Sequence, residues 1–259
     1  MVVTRFLSSG VNRRPIPENH LSIQSRLIEY GDGQELFEGM LVWDDAISEP
    51  RPCVLVAHTI RGRTAFEEGK ARDLAAMGYV GFALDVYGKS EIGSDDVVSR
   101  ANMNALTSDR VELQRRLSLS LATMLQQPEA DAAKAAAIGF CFGGLCVLDL
   151  ARIGAPVAAV VSFHGLFSAP GNTAGKSIDA SVLALHGWDD PLATPDSVLA
   201  LGEELSAMGA DWQIHGYGGT MHAFTNPAAN DAERGTLYDA AADQRSWLAM
   251  KNLLAEKFE

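Results

Sequence analysis

Three residues whose side chains could together perform nucleophilic catalysis occur in one order along the chain: Cys141, Asp190 and His222. Each follows a segment that we predict to be a buried strand, and ligands of open α/β sheets bind beyond the carboxyl ends of the strands. There a thiol could attack a carbonyl carbon, an imidazole could move the thiol proton, and a carboxylate could orient the imidazole. Nucleophile, acid and histidine is also the chain order of enzymes built on a Gly-x-Ser-x-Gly turn.

The context of Cys141 predicts that this cysteine stands on a sharp turn. It lies in Gly-Phe-Cys-Phe-Gly-Gly at 139–144, between an apolar run at 135–138 and a helix-like run at 145–152. Strand, tight turn and helix are the context of a nucleophile elbow, where glycines let the strand and the helix approach each other. The start of a helix also favours a thiolate. Cys53 and Cys146 fit instead the pattern of small buried hydrophobic residues.

The loops after two later predicted strands supply the acid and the histidine. His222 lies in a glycine-rich loop at 218–224, where a neutral imidazole could take the thiol proton and later protonate the leaving group. Asp190 ends the stretch Gly-Trp-Asp-Asp and could hold the tautomer of the histidine and stabilise its cation. Asp189 is the alternative acid. Adjacent loop residues generally point apart, so we expect only one of the two to serve, and we favour Asp190.

Loops that flank the predicted elbow should complete the site. An oxyanion hole would use the backbone N–H of Phe142 and one from the loop after the third strand, for which we choose Ile60. Arg61 and Arg63 are the nearest basic residues in sequence and could hold a substrate carboxylate bidentately, although surface arginines are common without such a role. We also expect substrate contacts from Thr59, Trp188 and Asn226.

Length, charge and cysteine content limit the classes of protein that fit. A chain of 259 residues, 47% of them hydrophobic, can bury a large core. A formal net charge of −12 argues against a nucleic-acid partner. No apolar run approaches the length of a membrane span, and three cysteines do not make a disulfide framework. We therefore expect a cytoplasmic protein with no nucleic-acid or membrane partner, and the sequence leaves an oligomeric partner open.

Strand and helix patterns alternate along the chain after an N-terminal arm at residues 1–20. A β-hairpin is predicted at 21–30 and 35–43, around Gly-Asp-Gly. Further strands are predicted at 53–57, 79–84, 135–138, 157–163, 182–186 and 211–217. Helices are predicted at 65–77, within 95–127, at 145–152, at 195–208 and at 233–258, the last as one helix or a pair. The alternation predicts an α/β fold in one domain over residues 21–259, with a mostly parallel sheet covered on both faces and little room for a cap at 166–180.

Together these residues resemble the dienelactone hydrolase (carboxymethylenebutenolidase) family over roughly residues 21–255. The specific marks are the cysteine stretch at 139–144, Met-Gly-Tyr-Val at 77–80, Asp-Val-Tyr-Gly at 85–88 and His-Ala-Phe at 222–224. The resemblance implies an α/β-hydrolase fold with an eight-stranded sheet, a Cys-Asp-His triad, an ester or lactone substrate and no cofactor. Characterised members carry a glutamate that helps to activate the thiol and an arginine that binds the substrate carboxylate. This chain has Thr59 and Asn226 at those positions.

The sequence thus predicts a cysteine-nucleophile hydrolase of small esters or lactones. Cys141 would form an acyl enzyme, and water activated by His222 would release it. One alternative is a low-turnover protein on the same fold that senses a ligand or redox change through a reactive Cys141. Another alternative is a zinc site. Its donors would be His58, His164, His186 and Cys141, but their spacing matches no local metal motif, and we predict no metal site.

Overall fold

The computed structural model describes residues 22–259, so the predicted arm at 1–20 lies outside the described residues. The strands are β1 (Ile23–Gly31), β2 (Leu36–Asp44), β3 (Arg51–Ala57), β4 (Val80–Ala83), β5 (Ala130–Phe140), β6 (Ala159–Phe163), β7 (Ser181–Gly187), β8 (Trp212–Tyr217), β9 (Asn230–Asp231) and β10 (Thr236–Leu237). The α-helices are α1 (Ala65–Ala76), α2 (Asp96–Ser108), α3 (Arg110–Leu125), α4 (Phe142–Arg152), α5 (Pro195–Ala207) and α6 (Ala240–Phe258).

The main sheet contains eight strands in the order β1-β2-β4-β3-β5-β6-β7-β8. Strands β3 to β8 run parallel to one another. Strands β1 and β2 form an antiparallel hairpin, and β2 is also antiparallel to β4. These pairings confirm the predicted mostly parallel eight-stranded sheet with an N-terminal hairpin. Because parallel strands end at the same edge, the loops after β3, β5, β6, β7 and β8 lie side by side.

Apolar strand residues build a hydrophobic core on each face of the sheet. Successive side chains of a strand point to opposite faces. Leu55 therefore packs into one core, which α2, α3, α4 and α5 cover. Its neighbour Val56 packs into the other core, which α1 and α6 cover. The predicted coverage of both faces is confirmed, and the sheet edge that carries the parallel strand ends is held between two layers of helices.

Two of the predicted helical stretches differ from the structure. Residues 95–127 form two helices because Asp109 interrupts them: its backbone is not helical, and its side chain caps α3 by accepting a hydrogen bond from the Glu112 N–H. The closing helix begins only at Ala240, where Asp239 caps it. Residues 230–237 form the β9–β10 hairpin around a short 3₁₀ turn instead. The prediction of a helix from residue 233 was wrong because Gly235 and Leu237 bond to the backbone of His222, in the loop after β8.

The connection between β6 and β7, residues 164–180, lies on the same edge as the site residues. It contains neither helix nor strand. The sheet edge where the parallel strands end is bordered by loops such as 164–180, and these loops carry the polar groups of the candidate site.

In the part of the chain that the structure describes, none of the helices is both long and apolar enough to cross a membrane.

Candidate active site

Cys141 lies at a sharp bend between β5 and α4 that we call the elbow, residues 139–144. Its φ of 56° and ψ of −115° are values that non-glycine residues rarely adopt. Two glycines make room for the bend. A Cβ on Gly139 would lie 2.0 Å from the carbonyl oxygen of Gly143, and a Cβ on Gly143 would lie 2.2 Å from that of Ala57. The strand, turn and helix predicted around Cys141 are therefore present, and its side chain is partly exposed.

The loops after β7 and β8 bring Asp190 and His222 into direct contact. Nδ1 of His222 lies 2.6 Å from Oδ2 of Asp190, and both side chains are buried. The other carboxylate oxygen of Asp190 accepts a hydrogen bond from the Leu192 N–H at 2.8 Å. Nε2 of His222 is buried and has no hydrogen-bond partner within residues 22–259. Asp189 is exposed, so of the two candidate acids it is Asp190 that reaches the histidine.

The β9–β10 hairpin fixes the backbone of His222. The N–H of His222 donates to the carbonyl oxygen of Gly235 at 2.9 Å, and its carbonyl oxygen accepts from the N–H of Leu237 at 3.1 Å. These two bonds make a short parallel bridge between His222 and Thr236. The imidazole is thus positioned by a carboxylate on its ring and by two backbone bonds behind it.

Cys141 and His222 shift each other's pKa in the directions that favour an ion pair. Burial acts to raise the pKa of the Cys141 thiol, but the charge of His222 and the N–H groups of Phe142 and Ile60 outweigh it, so this pKa is lowered. Burial acts to lower the pKa of His222, but the charge of Cys141 and the hydrogen bond with Asp190 outweigh it, so this pKa is raised. A thiolate beside an imidazolium is a nucleophile that needs no further deprotonation.

Residues 58–64 follow β3, and we call them the β3 loop. The Ile60 N–H of this loop and the Phe142 N–H at the start of α4 both stabilise the negative charge on the Cys141 sulfur. The Phe142 N–H opens a helix, so it has no acceptor in the preceding turn. Both N–H groups therefore act on the thiol to lower its pKa, and they are the two groups that the sequence predicts for an oxyanion hole.

Three side chains hold the backbone of Thr59 and Ile60 through one hydrogen bond each. The buried carboxylate of Glu67 accepts from the Thr59 N–H at 3.0 Å. Nδ1–H of His58 donates to the Thr59 carbonyl oxygen at 2.7 Å, and the Tyr87 hydroxyl donates to the Ile60 carbonyl oxygen at 3.1 Å. Sequence reasoning missed these positioning roles, although Thr-x-x-Glu at 64–67 is a recognisable capping box.

The two arginines that were predicted to contact substrate are engaged with acidic side chains. Arg61 is exposed and forms an ion pair with Asp96 at the start of α2. Arg63 is buried, and its guanidinium pairs with Glu38 at 2.7 Å and with Glu68. Nε of Arg63 also donates to the Glu38 carbonyl oxygen at 3.0 Å. Its donors are therefore largely satisfied within the protein.

The other predicted substrate contacts have mixed surroundings. Oγ1 of Thr59 accepts from the Arg61 N–H at 3.3 Å, and Oδ1 of Asn226 accepts from the Ala228 N–H at 3.0 Å, so both side chains shape their own loops. Trp188 follows β7 and is 46% exposed, which leaves a large apolar surface open close to Asp190. Of these residues, Trp188 has the most surface to offer a ligand.

The donors of the zinc alternative do not come together in the described structure. Residues 22–259 contain no group of three or more His, Cys, Asp or Glu side chains that could hold a metal ion. His58 binds within the β3 loop, and His186 is buried between Phe167 and Trp188. His164 accepts a hydrogen bond from the Cys141 N–H, so it belongs to the site as a contact of the elbow backbone and not as a metal ligand.

The fold and the site together define a class of protein. A mostly parallel eight-stranded sheet with a cysteine elbow after β5, an acid after β7 and a histidine after β8 is an α/β-hydrolase. The sequence profile of the dienelactone hydrolase family matches residues 37–258, and the chain belongs to this family.

Two similar solved structures and one similar protein agree with this assignment. The chain is 38% identical, with a TM-score of 0.86, to a dienelactone hydrolase-like promiscuous phosphotriesterase, P91, from metagenomic libraries. It is 36% identical, with a TM-score of 0.85, to m3DLH, and each likeness covers 92% of this chain and 100% of the other. A Yersinia pestis protein with the provisional name carboxymethylenebutenolidase is 27% identical over 220 residues, 80% of this chain and 78% of that protein. The chain is therefore an ester or lactone hydrolase.

Proposed function

We propose that the chain hydrolyses small esters or lactones with Cys141 as nucleophile, His222 as proton carrier and Asp190 as the acid that orients the histidine. The observation that carries this proposal is the line of three groups at the sheet edge. A buried carboxylate lies 2.6 Å from one nitrogen of the imidazole, and the charge of that imidazole lowers the pKa of the thiol. A lowered thiol pKa is what a cysteine nucleophile requires at neutral pH.

In the first half of the reaction the Cys141 thiolate attacks the carbonyl carbon of the substrate. A carbon–sulfur bond forms, and the carbonyl oxygen becomes an oxyanion that accepts hydrogen bonds from the N–H groups of Ile60 and Phe142. The tetrahedral species then collapses, the ester carbon–oxygen bond breaks, and the His222 imidazolium gives its proton to the departing alkoxide. The product of this half is a thioester on Cys141 and a free alcohol, or the opened ring when the substrate is a lactone.

In the second half a water molecule takes the place of the alcohol. Neutral His222 removes a proton from the water as it attacks the thioester carbon, and the same two N–H groups hold the second oxyanion. The carbon–sulfur bond breaks, and the thiolate returns beside the imidazolium. Asp190 stabilises the imidazolium in both halves through its bond to Nδ1.

The decisive experiment follows Cys141 in two readouts. Cys141→Ala should abolish hydrolysis of p-nitrophenyl acetate, and intact-protein mass spectrometry of the wild type should trap one acetyl group on Cys141. Cys53→Ala and Cys146→Ala are the controls, because both thiols are buried and burial raises their pKa values. Near wild-type turnover by Cys141→Ala would contradict the proposal. Acetylation without steady turnover would favour the low-turnover sensing alternative.

A matched pair of acidic variants tests the role of the carboxylate. Asp190→Asn should lower kcat by several powers of ten, because the amide cannot stabilise the imidazolium and can favour the wrong tautomer. Asp189→Asn should leave kcat within about twofold, because Asp189 is exposed and its N–H only joins two loops, by donating to the Thr220 carbonyl oxygen at 2.9 Å. Equal losses in the two variants would overturn the assignment of Asp190.

We further propose that the substrate need not carry a carboxylate. The arginine expected from the family resemblance is Asn226 here, and the nearby Arg61 and Arg63 are engaged with Asp96, Glu38 and Glu68. A missing guanidinium–carboxylate bond removes about 1.5–3 kcal/mol. A lactone carboxylate and its methyl ester should therefore have similar kcat/KM values. A strong preference for the acid that disappears in Arg61→Gln would show that the carboxylate site has moved.

The likeness to P91 suggests a second class of electrophile, the uncharged phosphotriesters. The same thiolate could attack phosphorus. The phosphorus–oxygen bond to the aryl group would break, and the departing aryloxide would take a proton from His222. Water would later cleave the sulfur–phosphorus bond. The ion pairs of Arg61 and Arg63 favour this class of substrate. Both guanidinium groups are paired with acidic side chains, so neither is free to bind the negative charge of an anionic substrate. Paraoxon tests it: release of nitrophenolate that depends on Cys141 supports the activity, and release unchanged in Cys141→Ala refutes it.

The state of the thiols supports the proposal that the protein acts in a reducing cytoplasm. All three cysteines are free, and Cys53 and Cys146 are buried in the core. A nucleophilic Cys141 must stay reduced to react. Cell fractionation with an antibody to the protein tests the location, and recovery outside the cytoplasmic fraction would refute it.

A further inference from the structure

His164, directly after β6, is the residue of the site that the reaction above does not use. It is buried, and its φ of 37° lies in the left-handed region, which few residues other than glycine adopt. Side chains of β6 alternate between the two faces of the sheet, and the backbone conformation of His164 ends this alternation. The ring contacts Phe224 and His222, with centroid separations of 5.2 Å and 5.1 Å.

Both nitrogens of the His164 ring have partners, and the partners determine the tautomer. The Cys141 N–H is shared between the Phe163 carbonyl oxygen at 3.0 Å and Nδ1 of His164 at 3.2 Å, so Nδ1 accepts and carries no proton. Nε2 must then carry the proton of the neutral ring, and it donates to Oγ1 of Thr225 at 2.8 Å. Burial lowers the pKa of His164 well below its ordinary value, and the charge of His222 acts in the same direction. The ring is therefore neutral and held in one orientation.

The two partners belong to the two loops that must be aligned for the proposed reaction. Cys141 is the centre of the elbow after β5, and Thr225 follows His222 by three residues in the loop after β8. In the sheet, β6 and β7 separate β5 from β8, so no strand pairing connects these loops directly. The His164 ring spans this gap with a hydrogen bond at each end and packs edge-on against the His222 ring.

We propose that His164 is a positioning residue that sets the distance and angle between the Cys141 thiol and the His222 imidazole. The proposal rests on the function proposed above for Cys141 and His222. A neutral imidazole suits this place for two reasons. It offers an acceptor and a donor on opposite sides of one rigid ring. It also adds no positive charge next to an imidazolium, whereas a lysine or arginine would repel the charged form of His222.

Thr225 offers the mildest test because it touches neither the thiol nor the substrate. Thr225→Val keeps the shape of the side chain and removes the acceptor, which leaves the His164 ring free to change tautomer and lose its bond to the Cys141 N–H. Thr225→Ser keeps the hydroxyl and is the matched control. We expect Thr225→Val to lower kcat about three- to tenfold with KM nearly unchanged, and Thr225→Ser to stay within about twofold of wild type.

Variants of His164 itself give the larger effect. His164→Ala removes both bonds, and we expect a loss in kcat on the order of 100-fold, as for misplacement of a catalytic group by about 1 Å. His164→Asn should lose less, because its amide oxygen can still accept from the Cys141 N–H and asparagine tolerates positive φ. Thermal unfolding of each variant reports whether the chain is folded.

A readout that does not depend on ester hydrolysis separates positioning from packing. The rate of Cys141 alkylation by iodoacetamide, measured against pH, gives the thiol pKa. We expect Thr225→Val and His164→Ala to raise this pKa toward that of a free thiol, and Thr225→Ser to leave it unchanged. If both variants lose only melting temperature while kcat and the alkylation profile stay at wild-type values, His164 is structural and the proposal is wrong. The alkylation profile decides this even if Cys141→Ala shows that hydrolysis uses another nucleophile.

Discussion

The elbow and the β3 loop each contribute one N–H group next to the Cys141 sulfur, but they are held in place in different ways. Close backbone contacts hold the elbow: a Cβ on Gly143 would lie 2.2 Å from the Ala57 carbonyl oxygen. Side chains from elsewhere hold the β3 loop, through Glu67 of α1 and through Tyr87 after β4. The comparison teaches that the elbow depends on steric fit in addition to the bonds of the Cys141 N–H, whereas the β3 loop depends on side-chain hydrogen bonds. The elbow and the β3 loop should therefore fail differently when they are mutated.

The largest effect is expected at the elbow. Gly143→Ala places a methyl group against the main chain of β3, which cannot move aside as a flexible side chain could. We expect a loss of stability of about 1–3 kcal/mol or more. Displacement of Cys141 should also lower kcat/KM about 100-fold. Gly69→Ala is the control, because a Cβ there has no neighbour within 4 Å and alanine favours the helix. Comparable activity in the two variants would show that the elbow is not held by steric fit.

The pH dependence of kcat/KM should follow the ion pair at the elbow. The pKa of Cys141 is lowered and that of His222 is raised, so the pair exists between the two values. Activity should fall about tenfold per pH unit on the acid side, as the thiolate gains a proton, and again on the alkaline side, as His222 loses the proton the leaving group needs. A rise through a single ionisation near the pKa of a free thiol, about 8.5, would contradict this ion pair.

A medium effect is expected from the side chains that support the β3 loop. Glu67 is buried and accepts hydrogen bonds from the Thr59 N–H, the Thr64 N–H and the Thr64 hydroxyl. Glu67→Gln turns one acceptor into a donor, so at least one of these bonds is lost, and kcat should fall about tenfold. The acid limb of the pH profile should stay in place, because the elbow is intact. Its neighbour Glu68 pairs with Arg63 and accepts no hydrogen bond from the β3 loop backbone within residues 22–259, so Glu68→Gln should change kcat less than twofold. Equal effects would refute the support role.

The smallest effect is expected at Tyr87. Tyr87→Phe removes one uncharged hydrogen bond to the Ile60 carbonyl oxygen and keeps the ring that stacks on Phe142. The corresponding loss in kcat is about two- to tenfold with little change in KM. Tyr238→Phe, which removes a hydroxyl bonded to Asp243 outside the described site, is the control. A Tyr87→Phe variant as active as this control would show that the Ile60 peptide is fixed without the hydroxyl.

The parts of the fold and site that could be predicted are those with a local signal. Cys141 is flanked by glycines, and Asp190 and His222 each follow an apolar strand, so their meeting at one sheet edge follows from strand order. The roles of Glu67 and His164 depend on contacts with residues that only the folded chain brings near. Arg63 was expected to face substrate, but its partner Glu38 lies 25 positions away on β2, and no sequence pattern reveals that pair.

Secondary structure shows the same division. The hairpin at 23–44 and the buried strands have strong local periodicity and appear close to where they were predicted. The stretch from 233 to 239 has no apolar periodicity of its own. Its conformation is decided by backbone bonds to His222, which lies earlier in the chain, in the loop between β8 and β9.

Those backbone bonds have a consequence for how the enzyme could be altered. Gly235 and Leu237 are hydrogen-bonded to the backbone of His222, and the Tyr238 N–H donates to the Ala229 carbonyl oxygen. Residues 230–234 therefore form an excursion, a loop whose two ends are held together by these bonds. Closing a longer excursion costs little extra entropy, since the cost grows only with the logarithm of its length. Extra residues inserted there would leave the imidazole where it is. This excursion is therefore a place where the chain could gain a new segment beside the catalytic edge, and with it a new substrate range, without rebuilding the catalytic groups.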